Sequence, residues 1–173
     1  MRRTTLVTLL MLVLPLGLAA QQIRIPNTQV TLDLPTGEWS YVKTLNIDRQ
    51  SDIYLYVYTD SVVLDSTGDT ILPFLRVYVH RNYKRSAYEL AYERFQNQPF
   101  QSMDEYSNGL PAEGIGYVGA YRSTLDEKDY QFRMIYFKER NNAIELRLET
   151  TADTYARFDR MFDTILRSTA IKK

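Results

Sequence analysis

The sequence predicts an α+β fold, an antiparallel β-sheet flanked by two or more helices, and three observations predict it. Segments with a two-residue apolar period recur along the chain, and short turn-forming stretches join them, which favours antiparallel neighbours. Two segments carry helical spacing instead, one after the third such strand and one near the end. The order strands, helix, strands, helix places the helices over the sheet rather than between parallel strands.

The chain opens with Arg2 and Arg3, continues through an apolar stretch from Leu6 to Leu18 broken by Pro15 and Gly17, and reaches the small residues Ala19 and Ala20. A positive start, an apolar middle of this length and a small-residue exit make up a secretory signal peptide. A membrane-spanning helix needs about 20 apolar residues in a row, and Thr4, Thr5, Thr8, Pro15, Gln21 and Gln22 leave too few. A leader over 1–20 and one domain over 21–173 are therefore expected. The best cut follows Ala20; because Leu18 is unusual at the minus-three position, a cut after Ala19 stands as the alternative. The predicted product is periplasmic or secreted, with no transmembrane anchor after cleavage.

The chain contains no cysteine, so neither a disulfide nor a lipid on a new N-terminal Cys is available. About 150 residues after processing suffice to bury a core without such staples. Of 21 basic and 21 acidic residues, Arg2 and Arg3 belong to an acid-free leader, which leaves 19 basic residues against 21 acidic in the mature chain. That balance lacks the basic field that holds nucleic-acid phosphates, and no nucleic acid partner is expected.

From Thr28 to Leu34, Val30, Leu32 and Leu34 alternate with Thr31 and Asp33, and Pro35-Thr36-Gly37 ends the strand. Asp52 to Tyr58 sets Ile53, Leu55 and Val57 against Tyr54, Tyr56 and Tyr58, a β-rich composition on both sides that marks an interior strand. The Asp65-Ser66-Thr67-Gly68-Asp69 turn leads to Phe74–Arg81, so the two strands form a long hairpin. Ser86 and Glu89 make a capping box for a helix reaching about Phe95, with Pro99 beyond it. A short strand near Phe100–Tyr106 and a turn at Asn108-Gly109 follow. Gly116–Thr124 and Tyr130–Phe137 flank the turn Asp126-Glu127-Lys128-Asp129 as a second hairpin. Ala143–Thr150 alternates most cleanly, Ile144, Leu146 and Leu148 against Glu145, Arg147 and Glu149, behind an Asn141-Asn142 link. The last element, Thr154–Arg167, carries Tyr155, Phe158, Met161, Phe162, Ile165 and Leu166 on one helical face, with Thr151 or Asp153 placed to cap it.

This order, with Leu32-Asp33-Leu34-Pro35-Thr36-Gly37-Glu38-Trp39 near the start and Phe158-Asp159-Arg160-Met161-Phe162-Asp163-Thr164-Ile165-Leu166-Arg167-Ser168 at the end, resembles the PsbP-like fold superfamily, which includes exported bacterial PsbP/DcrB-like domains. The resemblance covers most of the mature chain. It implies an α/β/α sandwich around an antiparallel sheet and a binding or assembly role in a largely non-enzymatic family; it transfers no site residues.

The residues themselves offer few centres of chemistry. His80 is the one histidine, and Ser86 or Ser61 would have to be its nucleophile, yet no nucleophile-elbow glycine pattern surrounds either. One His and no Cys make a poor zinc set. Asp65, Ser66, Thr67 and Asp69 supply oxygens at short spacing without the EF-hand pattern, and read as a polar hairpin turn. Asp126, Glu127 and Asp129 lie in a solvated turn that lacks the burial a general acid needs. No cofactor and no metal are expected. Tyrosine stands out, at 14 residues of 173, with Tyr54, Tyr56 and Tyr58 on one strand face and Tyr117 and Tyr121 repeating the period on another. These rings either lie under the helices or form a partner face, to which Trp39 belongs as a further candidate. The expected function is an exported, non-catalytic cell-envelope protein acting as a protein-binding or assembly accessory domain. The alternative is a small carrier that holds an apolar or lipid-like ligand between helix and sheet.

Overall fold

The computed structural model describes residues 20–35, 38–46, 50–107, 109–110 and 114–172. The expected leader lies outside the described residues except for Ala20, as do Thr36, Gly37 and Asn108 of the expected turns. In chain order the strands are β1 (Ala20–Arg24), β2 (Val30–Pro35), β3 (Trp39–Asn46), β4 (Ser51–Tyr58), β5 (Val63–Leu64), β6 (Thr70–Ile71) and β7 (Phe74–His80). Helix α1 (Ala87–Gln96) comes next, then β8 (Phe100–Tyr106), β9 (Ile115–Arg122), β10 (Asp129–Glu139), β11 (Asn142–Thr151), α2 (Ala152–Arg167) and β12 (Ala170–Ile171).

Seven strands form one antiparallel sheet in the order β3-β4-β7-β11-β10-β9-β8. The expected hairpins are present, β4 on β7 and β9 on β10, and β11 returns along β10 through a turn in which Arg140 takes φ 53°. The small β5–β6 pair grows out of the β4–β7 connection, where Gly68 adopts φ 87° and closes the Asp65–Asp69 turn. β1, β2 and β12 make a separate small sheet with β2 in the middle. Both outer strands of the main sheet slip register, β3 between Tyr41 and Lys43 and β8 between Phe100 and Ser102.

The two faces of the main sheet bury different chemistry. On one, α2 sets Tyr155, Phe158, Phe162, Ile165 and Leu166 against Tyr54, Tyr56, Tyr58, Val77, Ile144 and Leu146, and β2 closes the side with Val30, Leu32 and Leu34. Each fully buried Phe, Leu or Ile contributes about 1.5–3 kcal/mol of transfer free energy before chain entropy. On the other face, α1 sets Ala87, Leu90 and Ala91 over Phe132, Met134 and Tyr136. Its start is the expected capping box: Ser86 Oγ accepts from the Glu89 N–H at 3.1 Å, and Glu89 Oε2 accepts from the Ser86 N–H at 2.8 Å. Thr151, one of the two candidate caps, holds the N-cap position of α2 in extended backbone. The Thr151 side chain makes no cap bond, and Asp153 instead accepts the backbone N–H of Ser66.

Candidate binding site

The two helices cover the sheet unequally. Helix α2 is 16 residues long, whereas α1 has 10 and packs on β10 and β11. Over β4 and β7 the α1 side is left open as a groove of about 640 Å³. Leu55 and Val57 of β4 and Phe74 and Arg76 of β7 line it, with Leu72 and Tyr130 at its sides and Asp69, Asp126 and Lys128 at one end. Leu55 and Val57 are half-buried while their neighbours Tyr54, Tyr56 and Tyr58 are buried, because alternate β4 side chains point into two different layers.

Beside the groove lies a buried ion network built on β11. Glu145, Arg147 and Glu149 share one face of this central strand and are all buried. Arg147 Nε approaches Glu149 Oε2 to 2.5 Å, and Arg147 Nη1 donates to Gln98 Oε1 at 3.0 Å. Its guanidinium lies 4.9 Å from the Tyr121 ring centroid, 5.0 Å from that of Phe132 and 5.3 Å from that of Phe100, an aromatic cage that favours a desolvated cation. Burial works against the Arg147 charge, yet the Glu149 and Glu145 carboxylates hold its pKa above the ordinary value. Glu145 pairs with Arg94 of α1 at 3.0 Å, which ties the helix end to the sheet.

Glu149 also meets Arg76 at 3.1 Å and accepts from the Tyr121 hydroxyl at 3.1 Å. Burial, and then the Glu149 carboxylate, push the Tyr121 pKa up. Tyr121 in turn stacks on Tyr130, centroids 5.5 Å apart and planes 16° apart. The groove wall is therefore the outer edge of a rigid network: Arg76, with one third of its side chain exposed, presents to the groove the third guanidinium of a set that contains only two carboxylates.

The far end of the groove is locked by Lys128. Its ammonium reaches both Asp65 and Asp69, the latter at 2.6 Å, and so joins the β9–β10 turn to the β5–β6 hairpin. The Lys128 contact, and then Thr67, hold the Asp65 carboxyl well below the usual carboxylate range. Asp65 Oδ1 further accepts the backbone N–H groups of Thr67 and Asp69 at 3.0 and 2.9 Å. The oxygens that suggested a hard-cation loop thus surround a side-chain ammonium, and among the described residues no group of three or more His, Cys, Asp and Glu is placed to hold a metal ion. Asp126 accepts the Tyr130 hydroxyl at 2.7 Å; burial, and then that hydrogen bond, push the Tyr130 pKa up to about 12.

No protein-family model matches the chain, and no curated protein matches it. Among solved structures, cyanobacterial PsbP (CyanoP) from Synechocystis sp. PCC 6803 aligns over 91% of this chain and 96% of its own, with a TM-score of 0.54 at 14% identity. The fold is PsbP-like. LpqN of Mycobacterium tuberculosis, described as involved in cell envelope biogenesis, aligns over 90% of this chain and 91% of its own, with a TM-score of 0.50 at 14% identity. At such identities the likeness speaks to the fold, the α+β arrangement with an antiparallel sheet between helices that the residues predicted.

Within this PsbP-like fold the tyrosine stripe is interior. Tyr54, Tyr56 and Tyr58 are 3%, 8% and 5% exposed beneath α2, where Tyr58 meets Phe158 edge-on at 5.1 Å. Trp39 is buried against Tyr58 and Phe162, and Tyr117 packs edge-on against Phe95 at 4.6 Å. These five rings are core, because the helices need broad apolar partners, and they offer a partner no surface. Tyr121 alone of the six candidates stays half-buried, reaching the groove through Tyr130. His80 stacks on Tyr78 with its Nδ1 3.2 Å from Ser51 Oγ. Of the serines considered for a triad, Ser86 caps α1 and Ser61 accepts from Arg157 at 3.1 Å. The residues that form the groove, Leu55, Val57, Phe74 and Arg76, were legible as strand positions only. Their signal was that β4 is apolar on both sides, which requires two covering layers where the helices supply one and a half. Among the described residues no helix is long and apolar enough to cross a membrane.

Proposed function

We propose that this protein is an exported, non-catalytic cell-envelope domain that binds a protein partner through the open β4–β7 groove. The observation that carries this reading is the half-covered sheet face, an apolar floor of Leu55, Val57 and Phe74 bounded by the fixed charges of Arg76 at one side and of Asp69 and Lys128 at the end. An apolar centre with a charged rim is the anatomy of a protein contact. The envelope setting is supported by the leader pattern of the first residues and by the fold shared with LpqN. The carrier alternative puts its ligand between helix and sheet, but under α2 that layer is filled by Tyr54, Tyr56, Tyr58, Phe158 and Phe162, which favours the groove and a protein.

The test is site-specific photo-crosslinking in intact cells. A crosslinking residue in place of Leu55 or Leu72 should give one discrete protein adduct. The same residue in place of Tyr88, exposed on the outer face of α1, should not. Lipid adducts at the groove, or adducts equally frequent at position 88, would defeat the proposal.

A further inference from the structure

A second cleft, of about 380 Å³, lies between the first strands and the C-terminal half of α2, with Pro35, Met161 and Ile165 among its walls. Ala20 lines it and stands opposite Pro35 in the β1–β2 ladder. The Pro35 carbonyl accepts the N–H of Glu38 at 3.3 Å, which holds Glu38, another lining residue, close to the first residue of β1. Glu38 Oε2 is buried, and among the described residues it has no hydrogen-bond partner. Burial, and then the Asp60 carboxylate, raise the Glu38 pKa. Asp33 also lines the cleft, but its Oδ1 already accepts from Gln22 Nε2 at 3.2 Å. The cation there, Arg160, is exposed, and no ion pair joins it to Glu38 among the described residues. A desolvated carboxylate oxygen without a donor is costly, and the cleft is short of positive charge.

We infer that cleavage between Ala19 and Ala20 supplies that charge: the new α-ammonium of Ala20 docks in the cleft against the Glu38 carboxylate and fastens the first strand. The inference rests on the export reading above. In the cleavage, water adds across the amide bond, Ala19 leaves as a carboxylate and the Ala20 nitrogen becomes an ammonium. This cut sets Ala19 at minus one and Gly17 at minus three, both small as the processing protease requires. A cut after Ala20 would delete the residue that lines the cleft. Processing then completes the fold as well as releasing the chain.

Two measurements test this separately from the export reading. Intact mass spectrometry of the protein recovered from its own envelope should give the chain 20–173. A chain that keeps its leader would sink the export reading, and a chain cut elsewhere would sink this inference alone. For docking, the chain starting at Ala20 is compared with one carrying a two-residue Gly-Ser extension, each with Glu38 and with Glu38→Gln. The extension should raise the unfolding equilibrium constant about fivefold in the Glu38 background, the upper range for a partly exposed ion pair, and leave the Glu38→Gln background unchanged. The α-amino group should titrate above its usual value of about 8 and return to it in Glu38→Gln. Equal effects in both backgrounds, or an unshifted amine, would overturn the docking.

Discussion

Replacing Arg147 by Met removes one guanidinium from the buried network and leaves its carboxylates in place. The side chains of Arg147 and Glu149 are 4% and 0% exposed, and deleting one partner of a buried pair costs about 3–5 kcal/mol. Glu149 would keep Arg76 and the Tyr121 hydroxyl, both at 3.1 Å. Met would fill most of the aromatic cage. The cost should therefore fall at the low end, about 3 kcal/mol, or a fall in Tm of about 10 °C for a chain of this size. The double variant Arg147→Met with Glu149→Leu removes the desolvated pair together, while Arg76, one third exposed, can turn to water. Its cost should be only about 1 kcal/mol, since apolar replacement of a whole buried pair is often near neutral. Urea unfolding followed by circular dichroism, with thermal melts, measures both. A single variant within about 0.5 kcal/mol of wild type, or a double variant as unstable as the single, would refute the idea that the cost lies in the buried Glu149 carboxylate deprived of Arg147.

Three further outcomes follow from named contacts. Gly119→Ala should cost about 1–3 kcal/mol by urea unfolding, because the new methyl would meet the Ser102 carbonyl and approach Phe132 Cζ to 2.6 Å, and little loss would mean β8 can move aside. Ser86→Ala should cost about 1 kcal/mol and speed amide exchange across α1 first, whereas unaltered exchange there would deny the capping box its role. Lys128→Met should lower Tm by a constant amount between about pH 5 and pH 8. Because the folded Asp65 pKa is depressed, the stabilisation is present above its unfolded value of about 3.9 and is lost as pH falls towards the folded one. The gap between wild type and variant should shrink between about pH 4 and pH 2, and a gap that widened there would reverse the sign.

Elements with a clear apolar period or a clear turn were legible in the sequence. Helix α2 and strand β11 follow from apolar spacing, β9 and β10 from the turn at Asp126–Asp129 between them, and the α1 start from Ser86 and Glu89. Strand β3 was not legible, because past the buried Trp39 its residues Ser40–Asn46 are all exposed, and an edge strand with no buried face shows no alternation. Strand β1 was not legible either, because only Ile23 of its five residues is even partly buried and the strand shows no alternation. The Glu145-Arg147-Glu149 alternation has the form of a solvated face, yet the strand is central and both its sides are covered. Which side of β4 is the surface could not be decided from composition, since Tyr54, Tyr56 and Tyr58 and their neighbours Ile53, Leu55 and Val57 suit burial equally well. The length of α1 decides it, by stopping short of β4.

The slipped registers of the two outermost strands bear on how molecules of this protein meet in a crowded compartment. An unbroken ladder of free N–H and C=O groups invites another chain to polymerise onto it, and a bulge spoils the match by one residue. With the bulge at Tyr41/Lys43 on one margin and the one at Phe100/Ser102 on the other, neither margin offers an unbroken run of rungs to a stranger. Copies are thus discouraged from edge-to-edge growth into fibres while the face over β4 and β7 stays approachable, so stickiness and selectivity occupy different parts of the same sheet.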